Sequence, residues 1–403
     1  MNTISHMAQR GDTLRRIALQ YGVAHAALVA VNPQRGESEP LVQGELVHIP
    51  VRLPRRYVVQ QGDTTESLAA KLGCGEARLR ELNACLTEGQ PEAGQVLEVP
   101  GPHADRIVQV EAEYGPAQTA ADLQRLKRAF PFITVTTIGR SVMGKPIYAA
   151  RIGEGAFRWQ VNAACHANEW ITSALLMRFL EDYGRACRRR GAIGGKDAAA
   201  LFRKCTLWAV PMLNPDGVEL VQEGAPPSHP FYRELNAWNR GSASYRRWKA
   251  NVRGVDLNDQ FPAHWEEERQ RRRIHEPGPR DYGGSAPLTE PEARAIADFT
   301  EMMDFHAVLA LHTQGEEIYW NYRGCEPPEA RHWADRLGHA SGYRPVELTG
   351  SDAGFKDWFI ERYRRPGFTV EAGFGHNPLA PESFDDVYDE WLRLMTEALD
   401  LPS

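Results

Sequence analysis

The sequence predicts an α/β protein in three pieces: two small βααβ modules, then one larger domain built from alternating strands and helices. Two observations carry this. Gly11, Asp12 and Thr13 recur fifty-one residues on as Gly62, Asp63 and Thr64, with Asn32 recurring as Asn83, Gly44 as Gly94 and Pro50 as Pro100. A repeat at a fixed period marks copies of one supersecondary unit. Beyond residue 118, short apolar runs alternate with segments of helical spacing, the texture of an α/β domain.

Within each repeat the elements follow in order. Leu14, Ile17, Ala18 and Tyr21 have the i, i+3, i+4, i+7 spacing of a buried helix face, and Thr65, Leu68, Ala69 and Leu72 repeat it. Asp12 or Thr13, and Asp63 or Thr64, are N-cap candidates. Leu46 to Pro50 and Val96 to Pro100 are closing strands. The residues GDTLRRIALQYGV, VNP and LVQGELVHIP, then YVVQQGDTTESLAAKLG, ELN and AGQVLEVP, resemble the LysM family. That resemblance implies binding of glycans containing N-acetylglucosamine, such as peptidoglycan. The second copy departs from the usual GDTL with Thr65 and carries Cys74 and Cys85. The expected boundaries are module 1 at 4–51, module 2 at 55–101, a linker at 102–118 and a catalytic domain at 119–400.

Composition removes several function classes. The 47 basic and 53 acidic side chains among 403 residues give a net charge of −6, no case for nucleic acid as the main partner. No run approaches the roughly 18 apolar residues of a membrane span. Met1 to Asp12 shows no basic segment followed by an apolar one, so the expectation is a chain kept inside the cell, in cytoplasm or forespore, and wall-associated when released. Six scattered cysteines without a CxxC pair signal neither a disulfide framework nor a cysteine zinc site.

In the larger domain, 159–165, 207–213, 307–311 and 367–370 are candidate strands, and 170–183 and 290–300 candidate helices. Three of these strands lead into chemistry: His166 and Glu169 follow the first, His312 the third and Glu371 the fourth. Open α/β sheets bind ligands outside their strand carboxyl ends, so these residues can converge despite their separation. Two histidines and a carboxylate form a catalytic zinc set with one position left for water. A further carboxylate can take a proton from that water. The HxxE spacing alone is weak, since about one chance match is expected at this composition. His264 and Glu267 are a second instance, set in the charged stretch AHWEEERQRRR.

The order of the flanking segments resembles the M14 family of zinc carboxypeptidases over about residues 114 to 400. The matched segments are TIGRSVMGKPI, HANEW, VPMLNPDGVE, WKANVRGVDLN, YGGSAPLTEPEA, ALHTQGEEIYW, GFKDW and FTVEAG. The resemblance implies a mixed-sheet zinc-carboxypeptidase-like fold and amide hydrolysis, with zinc as cofactor held by His166, Glu169 and His312 and with Glu371 as general base. The family's oxyanion-stabilising arginine aligns with Lys249, and Arg247 and Arg253 lie close by, Arg253 as a candidate substrate contact. Lys supplies the charge without the planar fork.

The departures concern the substrate. The family pattern GVDLNRN binds a C-terminal carboxylate through Asn and Arg; here it reads GVDLNDQFP, keeping Asn258 and replacing the arginine with Asp259. A carboxylate there repels a substrate carboxylate and suits an ammonium. The arginine of HxRE is Asn168, and the family's mobile tyrosine is replaced near Thr349. With the LysM modules, these features resemble the γ-D-glutamyl-meso-diaminopimelate peptidase branch, which implies cleavage in peptidoglycan stem peptides. A zinc carboxypeptidase acting on ordinary peptides and a non-catalytic wall-binding protein stay open as alternatives.

Overall fold

The computed structural model describes residues 106–110 and 113–402, and, within the first hundred, 3–8, 44–50, 55–72, 83–86, 89–99 and the single positions 14, 17, 28, 32, 41, 76, 79 and 80. The chain divides into two compact units, Met1–Ala112 and Glu113–Ser403.

In the first unit, β1 (Thr3–Met7) pairs antiparallel with β2 (Leu46–Pro50), and β3 (Arg55–Val58) with β4 (Val96–Val99). The repeated asparagines show why the sequence keeps them. Asn32 is buried, donates Nδ2 to Leu28 O and His48 O, and accepts from His48 N at 2.9 Å. Asn83 makes the same three bonds to Leu79 O, Glu98 O and Glu98 N. One side-chain amide thus satisfies a helix carbonyl and both backbone groups of the closing strand, which a buried strand edge requires. Gly44 and Gly94 both take φ near +88° at the turn before that strand, a conformation other residues reach only with strain. Leu14, Ile17, Leu28, Leu41 and Val47 form one core, and Val59, Leu68, Leu79, Leu86 and Leu97 the other. The second module's helix α1 (Thr65–Leu72) is capped at Thr64, whose Oγ1 accepts from Ser67 N while Ser67 Oγ accepts from Thr64 N. The first module's cap candidates and Ala18, Tyr21 and Cys74 lie outside the described residues.

The second unit begins inside the segment expected as linker. Tyr114 is buried and donates its hydroxyl to Asp122 Oδ2 at 2.9 Å, tying residue 114 to helix α2 (Pro116–Ala129). An eight-stranded mixed sheet follows. Its strands are β5 (Thr134–Arg140), β6 (Pro146–Gly153), β7 (Phe157–Ala163), β8 (Cys205–Val210), β9 (Ala307–His312), β10 (Glu317–Tyr319), β11 (Arg344–Val346) and β12 (Gly367–Glu371), in the spatial order β11-β10-β12-β9-β7-β8-β6-β5. The four central strands β12, β9, β7 and β8 run parallel, and antiparallel pairs flank them. Parallel strands covered on both faces read as continuous apolar runs, and all six residues of β9, from Ala307 to His312, are buried. The four strands expected here all form, each shifted by one to three residues at an end. Helices α3 (Ile171–Arg189) and α4 (Pro291–Met303) extend both expected segments toward their C-termini.

The connections place the site. From β7 the chain passes through α3 to β8 on one side, whereas β9 lies on the other side of β7. The crevice between β7 and β9 at their carboxyl ends is therefore a topological switch point, where open α/β sheets bind ligands.

Candidate metal centre

Strand β7 ends at Ala163, and Leu213 N and Asn214 N donate to Ala163 O and Ala164 O, locking the exit of the strand. A single 3-10 turn, Ala167–Glu169, then precedes α3. This turn sets His166 and Glu169 on one side, and Thr172 Oγ1 donates to Glu169 O at 2.6 Å, fixing the junction. On the neighbouring strands His312 is paired in register with Glu371. Four residues from three segments spanning 205 positions therefore meet at one sheet edge.

His166, Glu169 and His312 are buried and offer donor atoms that all lie within 4.8 Å of one another. His166 Nδ1 is 2.9 Å from Glu169 Oε1, His312 Nδ1 is 3.0 Å from Glu169 Oε2, and the two Nδ1 atoms are 3.1 Å apart. Ligands about 2.1 Å from a tetrahedral ion stand about 3.4 Å apart, so this spacing fits a shared cation. The electrostatics agree. Burial pulls the His166 imidazole down, but Glu169 and then Asp256 outweigh it and raise it to about 9. Burial likewise opposes ionisation of Glu169, yet the two histidines hold it well below the carboxylate range. Lone pairs packed this tightly in low dielectric call for positive charge among them.

Asp256 completes the setting. Its Oδ1 is 3.2 Å from His166 Nε2, leaving Nδ1 to face the cluster. Asp256 also accepts from Asn258 N and Asp281 N. Sequence reasoning did not single it out; its place in the matched motif GVDLN was the available signal. Burial and the nearby Glu169 push the Glu371 carboxyl up to about 8. Lys249 is half-buried, and although burial works against its charge, Asp256 and Glu169 raise its pKa.

The other expected site residues distribute differently. Asn168 lies within the 3-10 turn, buried, with Oδ1 lacking a hydrogen-bond partner among the described residues. Asn258 accepts weakly from Phe355 N, linking it to the helix 355–363. Arg253 is half-exposed and 3.6 Å from the buried Glu290. Asp259 is buried and sits 3.3 Å from Arg272, while its Oδ2 has no hydrogen-bond partner among the described residues. His264 and Glu267 stand apart on the surface, bonded to each other and to Arg323.

Comparison with known proteins agrees with this geometry. The zinc carboxypeptidase description matches residues 119–377, and the LysM domain description matches 6–38 and 57–100. Gamma-D-glutamyl-L-diamino acid endopeptidase 1 of Lysinibacillus sphaericus is 47% identical over 294 residues, covering 73% of this chain and 74% of that protein. The uncharacterized protein YqgT of Bacillus subtilis is 38% identical, covering 73% and 80%. Among solved structures, bovine thrombin-activatable fibrinolysis inhibitor with tick carboxypeptidase inhibitor aligns with a TM-score of 0.56 at 18% identity, over 72% of this chain and 97% of that one. The chain is thus a metallopeptidase of the M14 zinc carboxypeptidase family preceded by two LysM domains.

Proposed function

We propose that this protein is a zinc-dependent peptidase that hydrolyses the γ-D-glutamyl-diaminopimelate amide of peptidoglycan stem peptides, with its LysM modules holding N-acetylglucosamine-containing glycan. The observation that carries the reading is the buried His166, Glu169 and His312 set with Glu371 in register beside it, in a chain 47% identical to an endopeptidase named for that bond. The residues fit zinc: two imidazole nitrogens and one carboxylate, a second carboxylate orienting His166, and low-dielectric surroundings.

Zinc, when bound, supplies Lewis acidity that polarises the scissile carbonyl and acidifies water. Glu371, held in register beside His312, accepts a proton from the attacking water and returns it to the leaving amine. Lys249, whose charge Asp256 and Glu169 favour, stabilises the developing oxyanion. Asp259, 3.3 Å from Arg272, favours the side-chain ammonium of diaminopimelate through its charge. The same carboxylate disfavours the C-terminal carboxylate that an ordinary carboxypeptidase substrate would place there. LysM glycan binding favours action on wall or wall fragments, and no helix among the described residues is long and apolar enough to cross a membrane.

Incubation of the zinc-loaded chain with stem tri-, tetra- and pentapeptides carrying diaminopimelate or lysine tests this by product mass. Cleavage after γ-D-glutamate with a preference for diaminopimelate is expected, and Asp259→Ala should erase at least about tenfold of that preference, the value of roughly one buried charge contact. Release of single C-terminal residues would sink the reading.

A further inference from the structure

Each candidate ligand needs something to aim it. His166 has Asp256 on Nε2, whereas the Nε2 of His312 is buried with no hydrogen-bond partner among the described residues. Glu169 has the least rigid side chain of the three, and both its oxygens lie within the cluster. Two further donors reach it. Thr313 N is 3.3 Å from Oε2, and Asn377 Nδ2 is 3.3 Å from Oε1.

Asn377 is itself held firmly. Its Nδ2 donates to Thr313 O at 2.7 Å, and its Oδ1 accepts from Thr313 Oγ1 at 2.8 Å. A backbone carbonyl only accepts, so this pair fixes which end of the amide faces Glu169. Thr313 directly follows His312, and Asn377 lies six residues beyond Glu371. One side chain therefore joins a ligand carboxylate, the segment after the second histidine and the loop that leaves the general base.

We propose that Asn377, locked by Thr313, is the positioning residue that orients Glu169 for metal binding and sets its share of metal affinity. Rotation of Glu169 about its side-chain bonds would carry its oxygens out of line with the two Nδ1 atoms; the Asn377 amide opposes that rotation by its bond to Oε1. Hydrogen-bond partners of metal ligands commonly contribute about 10- to 100-fold in metal affinity.

The inference rests on the metal reading of the site, and one experiment separates the two. Zinc affinity of the full chain is measured by competition with a chromophoric chelator, beside the thermal midpoint of the metal-free protein. The parent chain should bind one zinc; if it binds none, the metal reading itself fails. Asn377→Ala should weaken zinc binding by about 10- to 100-fold with the metal-free midpoint little changed. Thr313→Val, which keeps the shape and removes only the hydroxyl lock, should weaken it to a smaller degree and decides the question if the first variant does not fold. Tight zinc binding by the parent with affinities within twofold in both variants, whatever the midpoints do, would overturn the role of Asn377.

Discussion

The chain contains two His-x-x-Glu pairs with the same short contact between imidazole and carboxylate. His166 Nδ1 lies 2.9 Å from Glu169 Oε1, and His264 Nδ1 lies 2.7 Å from Glu267 Oε1. Their surroundings differ. The side chains of the first pair are 8% and 4% exposed, those of the second 34% and 58%. The first pair meets a third donor from another strand; the second meets Arg323, whose guanidinium occupies the carboxylate and neutralises it. His264 also contacts Glu361 through Nε2, spending its other nitrogen on a surface ion pair. Spacing places a histidine beside a carboxylate; only burial and convergence without a resident cation leave a site that needs a metal.

The most direct way to break that comparison is to make the same change at both pairs. Glu169→Gln should lose zinc on dialysis and reduce stem-peptide hydrolysis by about a thousandfold or more, because the metal's entire contribution to the barrier goes with it. Glu267→Gln should stay within about twofold in both measurements, since its ion pair is exposed and screened. Equal damage at the two sites would show that the surface pair carries function as well.

A smaller effect separates holding the metal from stabilising the transition state. Lys249 lies near Glu169 and Asp256 without being a ligand candidate. Lys249→Ala should leave zinc content intact and lower kcat by about 100- to 1000-fold, the usual cost of losing an oxyanion-stabilising group. Lys249→Arg should recover much of that, as it keeps the charge. Zinc loss in the alanine variant would instead make Lys249 part of the metal support.

How much of this was readable in the sequence follows from which interactions are local. The repeat was legible to the level of single residues, because Asn32 and Asn83 serve the same backbone groups of the strand that closes each module. The four chemistry residues were legible because strand ends are marked by apolar runs and because flanking motifs kept their order. The partners of the ligands were less so. Asp256 sat inside a quoted motif, but its bond to His166 spans ninety positions; Asn377 reaches Glu169 across 208 and lies beyond the last matched segment. No periodicity encodes such contacts. The start of the second unit at Glu113 likewise depends on the Tyr114–Asp122 bond, which composition does not announce.

The subtlest form of the contrast lies within GVDLND, where two buried carboxylates three residues apart are driven in opposite directions. Burial opposes the charge of Asp256, but His166 and Lys249 outweigh it and hold this carboxyl well below its usual range. Burial and then the Asp256 charge push Asp259 up to about 7, against the pull of Arg272. For Asp259 the folded value exceeds the unfolded one of about 3.9, so the fold binds the proton more tightly, and its stability contribution is present below about pH 4 and lost as pH rises toward 7. An amide mimics the neutral carboxyl at every pH. The thermal midpoint of Asp259→Asn relative to the parent should therefore rise by about 2 to 4 °C between pH 5 and pH 8 in the zinc-free chain. Asp256→Asn carries the reverse sign: its folded value is depressed, so the parent gains stability above the unfolded pKa, and the variant's deficit should shrink as pH falls below about 4. Parallel pH slopes in the two variants would mean that burial does not outweigh the pull of Arg272 at Asp259, and that both carboxylates are held ionised by the cations beside them.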